Sequence, residues 1–149
     1  METQLIQKIV DAIVFRESNT YDTVYLYGNT EHISVTLDEV EEKFGKHWPM
    51  SRIIRVNADT FIKETIHNAL KGNFYSQPCK CDLYILENVE QIAGLEASEQ
   101  RLYGILDWLL ENGRQIIVTG SAPTASIGKL APRICAQLDG GVSFFIEPV

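Results

Sequence analysis

The chain has 149 residues and a mass of 16.8 kDa, with 45% hydrophobic and 22% charged residues. These values are typical of one globular domain and exclude a disordered tail, a collagen-like chain and a disulfide-stapled miniprotein. The net charge of -7 disfavours nucleic acid as a partner, because such binding draws on Lys and Arg. Neither a bilayer-spanning apolar run nor a signal-peptide pattern is present, so we expect a cytoplasmic protein without membrane contact.

In the first half of the chain, helical and strand patterns alternate. The predicted elements are a helix over 4–14, a strand over 23–28, a helix over 35–44 closed by Gly45, a strand over 53–56 and a helix over about 60–70. Asn57 and Asp59 precede or open the last of these helices. Their side-chain oxygens can accept from its first N–H groups, so both are candidate N-caps.

The second half shows the same alternation more clearly. The predicted elements are a strand over 82–86, a helix over 96–112, a strand over 115–119, a partly helical segment over 127–138 and a strand over 142–146. In the long helix, Leu102, Ile105, Leu106 and Leu109 recur at the spacing of one helical face, and Gly113 follows as a C-cap.

Strands that alternate with helices are typical of βαβ units, which build parallel sheets. The strands are continuous apolar runs, as in a sheet that is buried on both faces. The sequence therefore predicts an α/β fold with a mainly parallel sheet of about five strands, covered by helices on both sides.

The cysteines do not have the spacing of a metal site or a disulfide framework. Cys79 and Cys81 are separated by one residue, and Cys135 lies far along the chain. The three histidines are scattered and do not complete a ligand set. We therefore expect ordinary thiols and no bound metal.

Three predicted strands end in residues that could form a ligand site. Gly28 follows the first strand, Glu87 and Asn88 follow the third, and Thr119-Gly-Ser121 ends the fourth. Ligands of open α/β sheets bind at the carboxyl ends of the strands. A glycine turn, an acid and a polar residue on a neighbouring strand are the parts of a nucleotide site, in which the acid holds Mg²⁺.

Longer segments resemble the ATPase domain of the bacterial replication initiator DnaA and its regulatory relatives. Asp82-Leu-Tyr-Ile-Leu-Glu-Asn-Val-Glu-Gln-Ile-Ala-Gly94 is similar to the Walker B segment of that family. Residues 109–119 resemble the passage from a helix into the sensor-1 strand, and 25–28 resemble the strand before the P-loop. The resemblance implies a three-layer, P-loop NTPase-like AAA+ core. It also implies that residues 1–149 form a single domain without the α-helical lid and the DNA-binding domain.

The segment after Gly28 departs from a P-loop, whose glycines free backbone N–H groups for the phosphates and whose lysine reaches the β and γ oxygens. Ile33 stands at the second glycine, Ser34 at the lysine and Val35 at the hydroxyl that binds Mg²⁺. Glu31 would place a carboxylate where the phosphates lie, which is repulsive.

The other positions implied by the resemblance are altered as well. Glu87 keeps an acid at the metal-binding aspartate, Asn88 replaces the catalytic acid, and Ser121 replaces the sensor-1 acid. Gln137 stands at the arginine finger, whereas Arg133 on the preceding turn is retained. We therefore expect no ATP hydrolysis, no catalytic residue and no cofactor. The expected vestigial nucleotide site comprises Gly28, Ser34, Val35, Glu87, Asn88 and Ser121.

Structural roles compete with these functional interpretations. Glu87 can be a solvated or capping carboxylate, and Arg133 can be a structural ion-pair partner. Trp108 lies on the helix face opposite Leu106 and Leu110, which predicts that it is exposed. Arg133, Gln137 and Trp108 are therefore candidate interface residues.

The sequence favours a non-catalytic DnaA-like protein that acts by protein–protein contact in replication initiation or its regulation. AAA+ domains assemble side by side, so the implied partner is a second copy, another replication initiator or another AAA+ protein. One alternative is single-stranded DNA binding through Arg52, Arg55, Lys63 and Lys71, which the net charge disfavours. Another is nucleotide binding without hydrolysis, for which residues 28–36 offer no phosphate site.

Overall fold

Helices and strands alternate along the chain in the computed structural model, which describes residues 2–15, 23–72 and 80–148. The helices are α1 (Glu2–Phe15), α2 (Thr30–His47), α3 (Ala58–Leu70), α4 (Glu96–Glu111) and α5 (Pro132–Asp139). The strands are β1 (Thr23–Gly28), β2 (Ile53–Asn57), β3 (Leu83–Glu87), β4 (Gln115–Gly120) and β5 (Val142–Ile146). Two short 3-10 turns lie at Val89–Gln91 and Thr124–Ser126. None of the described helices is long and apolar enough to cross a membrane.

All five strands run parallel in one sheet, in the order β2-β3-β4-β1-β5. The three inner strands, β3, β4 and β1, are also the most completely buried, as expected for strands with a neighbour on each side. The predicted α/β class and the parallel five-stranded sheet are confirmed.

Alternate residues of each inner strand face two separate cores. On β3, Leu83 and Ile85 pack with the apolar residues of α1 and α2, whereas Tyr84 and Leu86 pack with those of α3, α4 and α5. Successive side chains of a strand point to opposite faces, so a strand that is apolar at every position requires helices on both sides. The protein is therefore three-layered.

Helix α2 is longer than the sequence predicted. It begins at Thr30 rather than at 35, because Asn29 caps it: the Asn29 Oδ1 atom accepts a hydrogen bond of 2.9 Å from the His32 N–H. It also continues through Gly45 to His47. The prediction of a loop after Gly28 and of a helix end at Gly45 was wrong.

The other helix boundaries follow from their caps. Asn57 caps α3, and its Oδ1 atom accepts from the Thr60 N–H at 2.9 Å, whereas Asp59 lies in the first turn. Helix α5 is shorter than the predicted segment and begins at Pro132, which suits a first helical position because it has no N–H to satisfy. The buried Glu99 accepts a hydrogen bond of 2.7 Å from the Ala131 N–H at this start.

Candidate functional site

The carboxyl ends of β1, β3 and β4 surround a small polar cavity of about 130 Å³. Its lining residues are Thr30, Ile33, Ser34, Glu87, Asn88, Glu90, Thr119, Gly120 and Ser121. Four of the six residues that the sequence assigned to a vestigial nucleotide site, Ser34, Glu87, Asn88 and Ser121, therefore come together here. Gly28 and Val35 do not line the cavity.

Val35 and Gly28 are displaced from the cavity for different reasons. Since the segment is helical from Thr30, Val35 lies about 100° around the helix axis from Ser34 and is 63% exposed. Gly28 ends β1 with a φ of +120°, and its backbone lies against the carbonyl of Ile146 on β5. Val35 is therefore directed to solvent, whereas Gly28 stays at the end of β1 without lining the cavity.

Three backbone N–H groups after Gly28, those of Asn29, His32 and Ile33, are paired within the protein. The Asn29 N–H donates to the Ile146 carbonyl at 2.8 Å, and the Ile33 N–H donates to the Asn29 carbonyl at 3.0 Å. The His32 N–H donates to the Asn29 side chain. A P-loop instead presents such groups to the phosphates. The first turn of α2 therefore occupies the segment that the resemblance assigned to a phosphate-binding loop.

The strand-end acid Glu87 is held by an arginine from the neighbouring strand. Arg55 on β2 donates through Nε to Glu87 Oε2 at 3.2 Å and through Nη2 to Glu87 Oε1 at 3.1 Å. Burial lowers the pKa of Arg55, but its hydrogen bonds to Glu87 and Asp38 outweigh this effect and leave the pKa above its ordinary value. The interpretation of Glu87 as a solvated or capping carboxylate was wrong.

Hydrogen bonds also tie together the loops that follow β3 and β4. Asn88 has a left-handed backbone (φ 67°), and its N–H donates to Thr119 Oγ1 at 3.0 Å. The Ser121 N–H donates to Glu90 Oε1 at 3.1 Å. Two walls of the cavity, the loops after β3 and β4, are therefore hydrogen-bonded to each other.

Sequence reasoning missed Arg55 and Glu90 as members of this site. Arg55 was a charge inside the otherwise apolar strand 53–56, which was the one available signal that it has a specific partner. Glu90 lies in a 3-10 turn after the strand end, where the pattern of apolar residues carries no information about orientation.

Two of the three predicted interface residues lie together on α5. Arg133 stacks on Tyr103 of α4, with its Cζ atom 4.6 Å from the ring centroid. Gln137 Nε2 donates to the Tyr103 carbonyl at 3.1 Å. The predicted structural role of Arg133 was an ion pair, whereas the structure shows a contact with an aromatic ring. The predicted exposure of Trp108 was wrong: it is half-buried and packs against the core between the sheet and α3, α4 and α5.

The described ranges contain no group of three or more His, Cys, Asp or Glu residues that could hold a metal ion. Cys81 is buried in the core, and Cys135 is half-buried, with a pKa that burial raises above its ordinary value. The predicted pattern at Cys79 lies outside the described residues.

Tyr25, fully buried under the loop after β4, makes stability depend on alkaline pH. Its hydroxyl donates to the Ala122 carbonyl, and burial, followed by the charge of Glu90, raises its pKa above the ordinary value of about 10. Above pH 10 the unfolded chain loses this proton while the folded one keeps it. The free energy of unfolding therefore falls by up to about 1.4 kcal/mol per pH unit above pH 10. Below pH 10 the hydroxyl is protonated in both states, so Tyr25 causes no pH dependence there.

The variant Tyr25→Phe isolates this effect. We expect the variant to lose about 1 kcal/mol at pH 7, since the carbonyl of Ala122 loses its donor. Above pH 10 its free energy of unfolding should fall less steeply with pH than that of the wild type, because unfolding of the variant releases one proton fewer. Urea unfolding at pH 7, 9, 10 and 11 measures both slopes, and parallel curves for the two proteins would contradict the assignment.

Comparisons with known proteins agree with this architecture. The chain is 23% identical over 144 residues to the chromosomal replication initiator protein DnaA of Symbiobacterium thermophilum, covering 92% of the chain but 31% of that relative. Domain III of the Thermotoga maritima DnaA superposes with a TM-score of 0.87 at 14% identity, covering 98% of this chain and 62% of that one. A replication initiator DnaA bound to AMPPCP and single-stranded DNA superposes with a TM-score of 0.83 at 21% identity, and the match covers 99% of this chain and 47% of that one.

The chain thus spans less than a third of the length of the curated DnaA relatives that it matches. The family model of the bacterial DnaA ATPase domain matches residues 2–144, almost the whole chain. The fold and this match together show that the chain belongs to the bacterial DnaA ATPase domain family.

Proposed function

We propose that this chain is a non-catalytic member of its family that acts in DNA replication initiation, or in its regulation, through protein–protein contact. In this proposal residues 1–149 form a single DnaA-like AAA+ core domain. The observation that carries it is the start of α2 at Thr30, which turns the phosphate-binding segment into a capped helix. The relatives supply the replication context, since they are initiators of chromosomal replication by name.

The cavity supports the same proposal by its size and its charge. Pockets for nucleotide-sized ligands have volumes of roughly 300–1,000 Å³, whereas this cavity has about 130 Å³. Glu90 lines it and Glu31 lies in the adjoining first turn of α2, so a polyphosphate would meet carboxylates. The charge of Glu87 is already compensated by Arg55 and adds little to this repulsion. Each feature acts against nucleotide binding for its own physical reason.

A thermal melt with Mg-ATP and with Mg-ADP at about 1 mM tests the absence of a nucleotide site. We expect an unchanged midpoint, whereas a ligand at 100 times its dissociation constant would add about 2.7 kcal/mol and raise the midpoint by several degrees. The corresponding domain of a DnaA that binds AMPPCP is the positive control. A clear shift for this chain would replace the proposal with a nucleotide-binding switch.

The partner proposal places the contact at α5, where Arg133 and Gln137 lie one turn apart and Arg133 is exposed. The proposed partner is a second copy, another replication initiator or another AAA+ protein. We expect Arg133→Ala to weaken self-association in light scattering, or binding to the purified DnaA of the same organism. Lys46→Ala is the matched control, because Lys46 is an exposed cation on α2. A monomer that binds neither this DnaA nor the other purified AAA+ replication proteins of the same organism would overturn the proposal.

Single-stranded DNA is the second candidate, because one similar structure holds it. The structure weakens the basic set on which it would depend. Arg55 is engaged by carboxylates, and Lys63 pairs with Asp59 at 3.0 Å on α3. Fluorescence anisotropy with a labelled oligonucleotide at about 50 mM salt decides between the candidates, and the absence of binding removes this one.

A further inference from the structure

Three carboxylates from two elements converge on one guanidinium beside the cavity. Arg55 contacts Glu87 at the end of β3 through Nε and Nη2, and it contacts α2 through Nη1, which lies 2.6 Å from Asp38 Oδ1 and 3.3 Å from Glu41 Oε1. All three nitrogen atoms of the guanidinium therefore face a carboxylate oxygen. The geometry is specific rather than incidental, because every nitrogen of the planar guanidinium is used.

Burial separates the pair of Arg55 and Glu87 from the ordinary surface pairs of the molecule, whereas Asp38 and Glu41 are 67% and 42% exposed. The side chains of Arg55 and Glu87 are 21% and 22% exposed. Lys46 and Lys63, which form i,i+4 pairs along their own helices, are both 75% exposed. Exposed pairs contribute little to stability, whereas a partly buried charge requires its partner. Arg55 and Glu87 are therefore dependent on each other.

We infer that Arg55 is the resident cation of this site and that it takes the place of a divalent ion at Glu87. In P-loop NTPases the acid at the end of this strand holds Mg²⁺. Both oxygens of Glu87 here accept from a guanidinium that is tethered to the adjacent strand and stays charged at any physiological pH. The residues present therefore do not fit a metal ion. This inference rests on the proposed non-catalytic function, and it identifies Arg55 as the group that prevents a metal ion from binding at Glu87.

Removal of the guanidinium should expose a latent cation site. Asp38, Glu41 and Glu87 would then keep three negative charges around the vacated space without the counter-charge of Arg55. These carboxylates do not form a metal-ion ligand set in the described structure, so a divalent ion would have to draw the exposed side chains of Asp38 and Glu41 toward Glu87. Carboxylate oxygens and water are the ligands that Mg²⁺ and Mn²⁺ prefer. A divalent ion would therefore be attracted to the vacated space by charge and by ligand chemistry alike.

The test is Mn²⁺ binding to Arg55→Met, followed by electron paramagnetic resonance without nucleotide. We expect the variant to bind Mn²⁺ at least tenfold more tightly than the wild type, and addition of Glu87→Gln to abolish the gain. The matched control is Arg114→Met, which removes a single pair of 2.9 Å with Asp82 far from the cavity. Circular dichroism confirms folding, and Arg55→Gln, which keeps a hydrogen-bond donor, replaces the Met variant if that variant unfolds.

Equal Mn²⁺ affinity in the wild type and the folded variant would overturn the inference, as would an equal gain in Arg114→Met. Neither result would affect the proposed function, because no nucleotide is present in this assay. Conversely, a melting shift of the wild type with Mg-ATP would overturn the proposed function while leaving the Mn²⁺ comparison intact. The two failures are therefore distinguishable.

Discussion

Replacement of Gly28 by alanine is expected to destabilise the protein by about 3 kcal/mol or more. An added Cβ would lie 2.3 Å from the Ile146 carbonyl oxygen and 3.1 Å from its carbon, both backbone atoms of the neighbouring strand. The φ of +120° is also one that L side chains rarely adopt. Relief of the clash would part β1 from β5 and break the hydrogen bond from the Asn29 N–H to Ile146.

Equilibrium urea unfolding measures this loss, with Gly113→Ala as the control. Gly113 also has a positive φ, +62°, but an added Cβ there would meet nothing within 4 Å. Its substitution should cost about 1 kcal/mol, the ordinary penalty of a left-handed residue. The difference between the two variants measures the close approach of the strands at Gly28. Equal losses would show that backbone conformation alone accounts for the effect.

Gly120→Ala should destabilise the protein by about 2–3 kcal/mol, because β4 passes directly over a buried ring. The added Cβ would lie 2.0 Å from the Tyr25 hydroxyl oxygen and 2.9 Å from Cζ. Tyr25 cannot swing away, since it is fully buried and its hydroxyl is held by the Ala122 carbonyl. Overpacked cores lose stability because side chains and backbone must shift from their favoured positions.

A double-mutant cycle with Tyr25→Phe identifies the atom responsible. Loss of the hydroxyl removes the 2.0 Å contact, so Gly120→Ala should cost at least about 1 kcal/mol less in the Phe background than in the wild type. Urea unfolding of the four proteins supplies the cycle. Strictly additive losses would mean that Gly120 is constrained by something other than the Tyr25 hydroxyl.

Local sequence patterns were enough to predict the fold class. β1 and β5 have the predicted bounds, Thr23–Gly28 and Val142–Ile146, because each is a mainly apolar run bounded by polar residues or glycine, with Ser143 as the polar residue inside β5. Continuous rather than alternating apolar strands require cover on both faces, and the two cores on either side of the sheet provide it. These properties depend on neighbours in sequence, so a single chain displays them.

The start of α2 shows where local reasoning fell short. The apolar spacing of Leu37, Val40 and Phe44 put the predicted helix start at 35, although Asn29 is a good N-cap and no glycine interrupts the turn that follows it. The helix instead begins at its cap, several residues before the apolar spacing becomes visible. Periodicity is therefore a weak guide to a helix start, and the capping residue is the better signal.

What the sequence by itself determined is the α/β class, the alternation of its elements and the strand ends at which a site could form. Only the tertiary structure decided which charges neutralise one another. Arg55 lies 32 residues from Glu87 and 17 from Asp38, and they meet because β2 pairs with β3 and α2 packs nearby. Composition and periodicity carry no information on such distant pairs, since the contact depends on strand order and side-chain direction. Whether Glu87 is paired with a cation or left free to bind a ligand is therefore decided by the assembled sheet.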